Sequence, residues 1–212
     1  RAATGGAPLT GCSGAGIIVR NEADESNFSV AVLVIQSDEL SFHHGLTQGL
    51  QADPAGVGRN IAEAVGAHGH EQGKALFIFP DGLTCNFDAL VRALEQGLST
   101  DRALPLVGGL AGENWTMGKT FQYCDDQVVS DGVAWALMSG SAEVFSVLSH
   151  GCVPIGTERT VTKSVGNVIH EIDHKPVIEV LKEYLTVEEV EQWLKASTNM
   201  SLAFKAPSHL HE

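Results

Sequence analysis

Short apolar runs alternate with segments of helical spacing along much of the chain. Lys74–Pro80 is almost wholly apolar, which predicts a strand that is covered on both faces. Phe87–Gly97 repeats its apolar residues at helical spacing, and Asn86 stands where an N-cap is expected. Ala103–Val107 follows as another apolar run, so this stretch is predicted to form a β-α-β unit.

Similar patterns predict the other elements. Helical spacing predicts helices over Val57–His68 and Val177–Tyr184, and Thr186-Val187-Glu188-Glu189 is a capping-box pattern that begins a last helix. The remaining predicted strands are Gly16–Arg20, Phe28–Ser37, Leu40–His44, Lys119–Tyr123, Val128–Val129, Val133–Met138, Ala142–His150, Thr157–Thr162 and Asn167–Ile172. This pattern predicts an α+β fold of mixed sheets packed with helices, with an α/β fold as the alternative.

Two parts of the pattern recur in the same order. Pro8–Gly16 resembles Pro105–Gly112, 97 positions later, and each contains a glycine-rich turn. Val30–Ile35 resembles Val133–Met138, 103 positions later. Two matches at nearly the same separation predict that one β-α-β-β-β unit is used twice. A duplicated unit with a glycine turn in each copy is expected to form one site between the copies.

The two copies differ at their beginnings. The second copy has a strand at Lys74–Pro80 and a helix at Phe87–Gly97 before its glycine turn. The first copy has only seven residues before Pro8. We therefore expect that the first β-α unit of the first copy is missing from this sequence.

Composition narrows the classes of partner. The chain has 26 acidic and 13 basic residues, for a net charge of −13 at pH 7. Such a surface repels nucleic-acid phosphates and anionic lipids, so neither is predicted as a partner. The longest strongly apolar runs are of strand length, whereas a membrane helix needs about 20 residues. The four cysteines lack CxxC spacing, which predicts reduced thiols and a cytoplasmic location.

The glycine turns are the first candidate binding residues. Backbone amides that carry no side chain can approach a small anion, so the turns are predicted to face a ligand. The alternative is two tight strand-end turns that require glycine for conformational reasons alone. The predicted ligand-binding residues of the turns are Gly11, Cys12, Ser13, Gly14, Gly108, Gly109 and Gly112.

Acidic and amide side chains near these turns extend the candidate site. Asp81 follows a predicted buried strand, where its carboxylate could bind an amine or hydroxyl group. The alternative for Asp81 is a turn residue whose carboxylate caps its own loop. Glu113 and Asn114 follow the second glycine turn and could reach the same cavity, and the alternative for both is an exposed loop.

Metal and nucleophile chemistry have weaker support in the sequence. No predicted helix carries histidines at i and i+4, and HExxH is absent, so no preorganised zinc site is predicted. His150 ends a predicted strand, where it could ligate haem iron or be a hydrogen-bonded turn residue. Cys12 is the candidate nucleophile of an enzyme, but spacing identifies no base for it.

An ordered set of motifs resembles the FIST domain (F-box and intracellular signal transduction). The first glycine turn, Gly11–Gly16, also resembles the corresponding turn of that family. The other matching segments are Phe77–Leu83, Pro105–Gly112, Gly151–Gly156, Val161-Thr162 and Gly166–Ile169. The resemblance implies an N-terminal sensory domain over residues 1–175 and the beginning of a C-terminal region over residues 176–212.

The resemblance also implies a function. FIST domains are cytoplasmic sensor inputs proposed to bind small molecules such as amino acids. They are linked to histidine kinases, cyclic-di-GMP enzymes or chemotaxis receptors, and some members are haem proteins that sense nitric oxide. The first hypothesis is therefore a ligand-binding sensory domain that is not an enzyme. The second is a haem-based nitric oxide sensor with His150 as the iron ligand, and the third is an enzyme that uses Cys12.

Overall fold

The computed structural model describes residues 5–26, 28–69, 72–98, 104–114, 116–147, 152–192 and 201–203. The chain divides into two units, residues 1–149 and residues 150–212. The described residues combine strands in several sheets with four helices, which confirms the predicted α+β fold. None of the helices in the described ranges has both the length and the apolar character that a membrane span requires.

A four-stranded mixed sheet forms the centre of the first unit, with the strand order β4-β9-β5-β6. The strands are β4 (Leu40–Gln48), β5 (Gly73–Pro80), β6 (Leu106–Gly108) and β9 (Gly132–Gly140). β9 lies between β4 and β5 and is antiparallel to both, whereas β5 and β6 are parallel. Seven consecutive β9 residues, from Gly132 to Met138, are buried, as expected of a strand that has neighbours on both sides and cover on both faces.

Two helices cover one face of this sheet. They are α1 (Pro54–Gly66) and α2 (Phe87–Gly97), and the side chains of Asp53 and Asn86 cap their N-termini. The buried residues of α1 recur at intervals of three and four, which turns one stripe of the helix towards the core. The helices pack closely because Gly58 lies against the backbone of α2, where an added Cβ would be 2.4 Å from the Leu90 carbonyl oxygen.

A small three-stranded sheet packs near the other face, in the order β1-β7-β8. Its strands are β1 (Thr10–Cys12), β7 (Gln122–Cys124) and β8 (Gln127–Val129), and a separate hairpin joins β2 (Ile17–Val19) to β3 (Glu22–Asp24). β1 comes from the first glycine-turn region but pairs with β7, which follows the second. The two repeated regions are therefore joined in one sheet.

Two short hairpins resemble each other in the two regions that the sequence predicts to be copies. The β2–β3 and β7–β8 hairpins each consist of two three-residue strands and a two-residue turn. The first turn residue has a positive φ in both, 59° at Arg20 and 53° at Asp125. A glycine turn precedes each hairpin, and a three-residue strand precedes each turn. The strand is β1 before the β2–β3 hairpin and β6 before the β7–β8 hairpin. This recurrence supports a unit that is used twice.

Two predicted strands are wrong. The described residues of Phe28–Ser37 form no strand, and Phe28 is 97% and Leu33 is 85% exposed. Residues 142–147 of the predicted strand Ala142–His150 are also irregular, and residues 148–150 lie outside the described part of the chain. Neither segment has a paired strand among the described residues, and an apolar run without such a neighbour leaves its backbone groups unpaired.

The second unit begins with antiparallel strands. These are β10 (Val161–Val165), β11 (Val168–Ile172) and β12 (Lys175–Pro176), followed by α3 (Val177–Leu181) and α4 (Val187–Glu191). The predicted strands Thr157–Thr162 and Asn167–Ile172 correspond to β10 and β11, which form an antiparallel hairpin whose turn is Gly166-Asn167, where Gly166 has a φ of 57°. The predicted capping box at the start of α4 is also confirmed, because Thr186 and Glu189 exchange hydrogen bonds.

Candidate ligand site beside the second glycine turn

The two glycine turns contact each other. The Gly112 N–H donates to the Ser13 carbonyl at 3.0 Å, and the Ser13 Oγ donates to the Gly112 carbonyl at 2.7 Å. The same Oγ accepts a hydrogen bond from the Phe121 N–H at 2.9 Å. An added Cβ on Gly112 would lie 2.8 Å from the Ala15 nitrogen, so only glycine permits this close approach. The sequence prediction that the two turns meet is supported at these residues.

Asp81 lies where β5 ends, next to the second turn. Its backbone forms a parallel bridge with Ala111, whose N–H donates to the Pro80 carbonyl at 2.7 Å. The carboxylate is buried: Oδ1 accepts from the N–H groups of Leu83 and Thr84, and Oδ2 accepts from the Asp131 N–H. This is the geometry of the alternative interpretation, in which Asp81 caps its own loop. A ligand-binding role for Asp81 stays a prediction.

Glu113 and Asn114 follow Gly112 in a loop. The Glu113 carboxylate accepts hydrogen bonds from the N–H groups of Thr116 at 2.9 Å and Met117 at 3.0 Å, so it holds the following turn. Asn114 is exposed. Neither side chain is among those that line the groove described next, so their predicted contact with a ligand is not supported by a shared cavity.

An apolar groove lies at the end of the parallel strands, and we call it the Gly109 groove. Its volume is about 270 Å³, slightly below the roughly 300–1,000 Å³ that is usual for ligand pockets, and one side of it is open to solvent. Its lining residues come from β5, β6, the start of α2 and the second glycine turn: Ile78, Pro80, Phe87, Leu106, Val107, Gly108, Gly109 and Leu110. None of these eight residues is charged, so apolar contact and backbone groups would determine what binds.

The two central glycines of the groove have different structural roles. Gly108 has a φ of 143°, and a Cβ there would lie 2.0 Å from the Ile78 carbonyl oxygen. Glycine is therefore required at this position to keep β6 against β5. An added Cβ on Gly109 would meet no atom of the described residues within 4 Å. The backbone of Gly109 is consequently accessible to a ligand, and the fold does not require a glycine at this position.

The residues of the first turn lie apart from the lining of this groove. Gly11 and Cys12 are half-buried in β1, Ser13 bonds the second turn, and Gly14 is exposed. Burial raises the pKa of the Cys12 thiol, which disfavours the thiolate that a nucleophile requires. The third hypothesis, an enzyme that uses Cys12, therefore gains no support from the environment of this thiol.

Haem does not fit the Gly109 groove. Haem iron is held by His, Cys, Met or Tyr side chains, and none of the eight lining residues is of these types. His150, the predicted iron ligand, lies outside the described residues.

Sequence reasoning missed the apolar walls of the groove. Ile78 and Leu106 are strand residues and Phe87 begins a helix, so each has an ordinary structural role in the sequence pattern. The position of these residues in the predicted β-α-β unit is the signal that could have identified them, because ligands of open α/β sheets bind beyond the carboxyl ends of the parallel strands. β5 and β6 are the parallel pair here, and the groove lies at their carboxyl ends.

The carboxyl ends of parallel strands are a common position for small-molecule binding in α/β sheets, and the Gly109 groove occupies such a position. The FIST N domain family matches residues 1–175, and the chain belongs to this family. FIST domains are sensory domains linked to signal transduction and are not a known class of enzymes.

Curated relatives are similar over shorter stretches. The uncharacterized protein MJ1623 of Methanocaldococcus jannaschii is 31% identical over 91 residues, which is 41% of this chain and 18% of that protein. The uncharacterized protein Rv0628c of Mycobacterium tuberculosis is 30% identical over 120 residues, 55% of this chain and 30% of that protein. The matches therefore span less than a third of the length of these relatives.

Proposed function

We propose that this chain is the small-ligand-binding part of a cytoplasmic sensor in signal transduction and that its ligand binds in the Gly109 groove. The observation that carries the proposal is the groove itself, which joins apolar walls to exposed glycine backbone at the ends of β5 and β6. This combination suits a small carboxylate with an apolar side chain, such as leucine or phenylalanine. The walls would bury the side chain, and backbone groups at Gly108–Leu110 would bind the polar end.

The position of the groove also supports a mechanism of signalling. The segment that lines it continues directly to Gly112, which exchanges two hydrogen bonds with Ser13. A ligand that favours one arrangement of this segment shifts the populations of both glycine turns. A partner such as a histidine kinase, a cyclic-di-GMP enzyme or a chemotaxis receptor would read that shift.

The experiment is a thermal-shift screen of the 20 common L-amino acids, followed by calorimetry on those that stabilise the chain. At one common concentration, we expect leucine, isoleucine or phenylalanine to stabilise the chain more than the other amino acids. A ligand at 100 times its own Kd raises the free energy of unfolding by about 2.7 kcal/mol. In Gly109→Leu a bulky side chain at the groove lining should obstruct the ligand and reduce the shift. Gly11→Leu is the matched control, because a Cβ on Gly11 also meets no atom of the described residues within 4 Å and Gly11 does not line the groove.

Three results would contradict the proposal. An equal shift in the wild type and Gly109→Leu would locate the ligand elsewhere. A preference for aspartate or lysine would contradict the apolar lining. A screen in which no amino acid stabilises the chain would refute the proposed ligand class.

A further inference from the structure

Three potential metal ligands lie together between the four-stranded sheet and the β7–β8 hairpin. They are His44 on β4, Cys124 at the end of β7 and Asp125 in the following turn. Their ligand atoms all lie within 4.8 Å of one another, and His44 Nε2 is 3.1 Å from Asp125 Oδ2. These residues belong neither to the Gly109 groove nor to the glycine turns.

The fold determines the direction of each side chain. Side chains alternate across β4, so His43 points towards the helices, where its ring stacks on His68, and His44 points to the opposite face. Cys124 is 9% exposed and shares the inner face of the small sheet with the buried Gln122. Strand pairing within each sheet therefore fixes which face carries each ligand, and the packing of the two sheets brings these faces together.

Asp125 is held in place from its other side. The Leu9 N–H donates to Asp125 Oδ1 at 3.1 Å, and the Asp125 N–H donates to the Leu9 carbonyl at 2.8 Å. The second oxygen, Oδ2, is the one directed at His44. A carboxylate fixed through one oxygen with the other presented to the site is the arrangement that orients metal ligands.

A buried polar atom lies beside the cluster. Thr10 is the direct cross-strand neighbour of Cys124, so the two side chains lie on the same face of the small sheet. The Thr10 Oγ1 is buried and has no hydrogen-bond partner among the described residues. A buried hydroxyl without a partner is costly, and a water molecule bound to a metal ion would supply one.

We propose that His44, Cys124 and Asp125 bind a divalent transition-metal ion of borderline softness, such as Zn²⁺. One imidazole, one thiolate and one carboxylate form a ligand set of the types that Zn²⁺ prefers, and the fourth position is left to water. In a tetrahedral zinc site the ligand atoms are about 3.3–3.6 Å apart. Side-chain adjustments of about 1 Å would bring the present cluster to that geometry.

Co²⁺ is the probe, because a thiolate ligand gives it an intense near-ultraviolet charge-transfer band and tetrahedral geometry gives it visible bands. The full chain is freed of metal with a chelator, kept reduced and titrated with Co²⁺. We expect both sets of bands to saturate at one equivalent and to disappear when Zn²⁺ displaces Co²⁺. Zn²⁺ should also raise the melting temperature, since the site joins β4 to the β7–β8 hairpin.

The variants separate a metal site from a structural hydrogen bond between His44 and Asp125. Cys124→Ser should lose the charge-transfer band. His44→Gln and Asp125→Asn each remove a direct ligand, so each should weaken Zn²⁺ binding by at least the roughly 10–100-fold that loss of an outer-shell partner costs. His43→Gln is the matched control on the opposite face of β4, and Cys85→Ser is the control for thiol loss. Both should bind Co²⁺ and Zn²⁺ as the wild type does.

Circular dichroism verifies that each variant folds, and His44→Gln tests the site independently should Cys124→Ser fail to fold. The proposal is overturned if the wild type shows no charge-transfer band. It is also overturned if Cys124→Ser retains that band, or if folded His44→Gln and Asp125→Asn bind Zn²⁺ as tightly as the wild type.

Discussion

Replacing Asp81 tests whether its carboxylate serves the fold. Asp81 is 2% exposed and accepts three backbone hydrogen bonds, from Leu83 at 2.8 Å, Thr84 at 3.2 Å and Asp131 at 2.9 Å. Hydrogen bonds to a charged group contribute about 1.5–3 kcal/mol each, and the longest of the three, from Thr84, contributes least. We therefore expect Asp81→Ala to lower the free energy of unfolding by about 3–5 kcal/mol.

The Asp81→Asn variant should lower the free energy of unfolding by less than Asp81→Ala does. Its amide keeps one oxygen that can accept from Leu83 and Thr84, but its NH₂ group faces the Asp131 N–H, so we expect a loss of about 1–3 kcal/mol. The assay is urea unfolding followed by circular dichroism. Asp38→Asn, which removes the same charge at an exposed position, should change the free energy by less than about 0.5 kcal/mol. Equal stability of Asp81→Ala and the wild type would refute the structural role.

Two further predictions concern Gly108 and Cys85. Gly108→Ala should lower the free energy of unfolding by about 2–4 kcal/mol, because a Cβ at a φ of 143° would lie 2.0 Å from the Ile78 carbonyl oxygen. Gly109→Ala should leave the free energy of unfolding nearly unchanged. Equal urea midpoints for the two variants would contradict this. Burial and, secondarily, the Asp81 charge raise the pKa of the Cys85 thiol from 9.0 to about 11. The unfolded chain therefore releases this proton first, so stability should fall as the pH rises from 9.0 towards 11, and Cys85→Ala should flatten that decline in urea unfolding measured across this range.

Local sequence signals predicted the elements that depend on local chemistry. α2 has the predicted bounds and cap because its apolar stripe and the Asn86 side chain act within a few residues. The capping box at Thr186 is also a local device and is confirmed. β4 is longer than the predicted Leu40–His44 because it continues through Gly45, a residue that usually interrupts strands. The Trp135 ring packs against the backbone at Gly45, where a side chain would not fit. A residue 90 positions away in the sequence determines that strand, so the local pattern could not predict its length.

The candidate sites also differ in whether a local sequence signal or only the tertiary fold reveals them. The glycine turns were identified because a repeated motif is visible in one sequence, and their meeting at Ser13 and Gly112 followed from the duplication. The cluster of His44, Cys124 and Asp125 was missed because a β-ladder and the packing of two sheets bring its members together. Sequence spacing carries no signal for such a cluster. The prediction that no preorganised zinc site exists considered only helical spacing, and it did not anticipate this arrangement.

The failed strand at Phe28–Ser37 shows what makes β9 a strand. In the antiparallel ladder of β4 and β9, Leu40 pairs with Gly140. The same register continued five residues further would place Ile35 opposite Phe145, but both side chains are instead exposed. β9 is stabilised because β5 pairs with its other edge and two helices cover the sheet. No described strand or helix does this for Phe28–Ser37, so an apolar run with the same sequence pattern as β9 stays irregular. Pairing and cover, rather than the β-propensity of the run itself, determine where strands form in this chain.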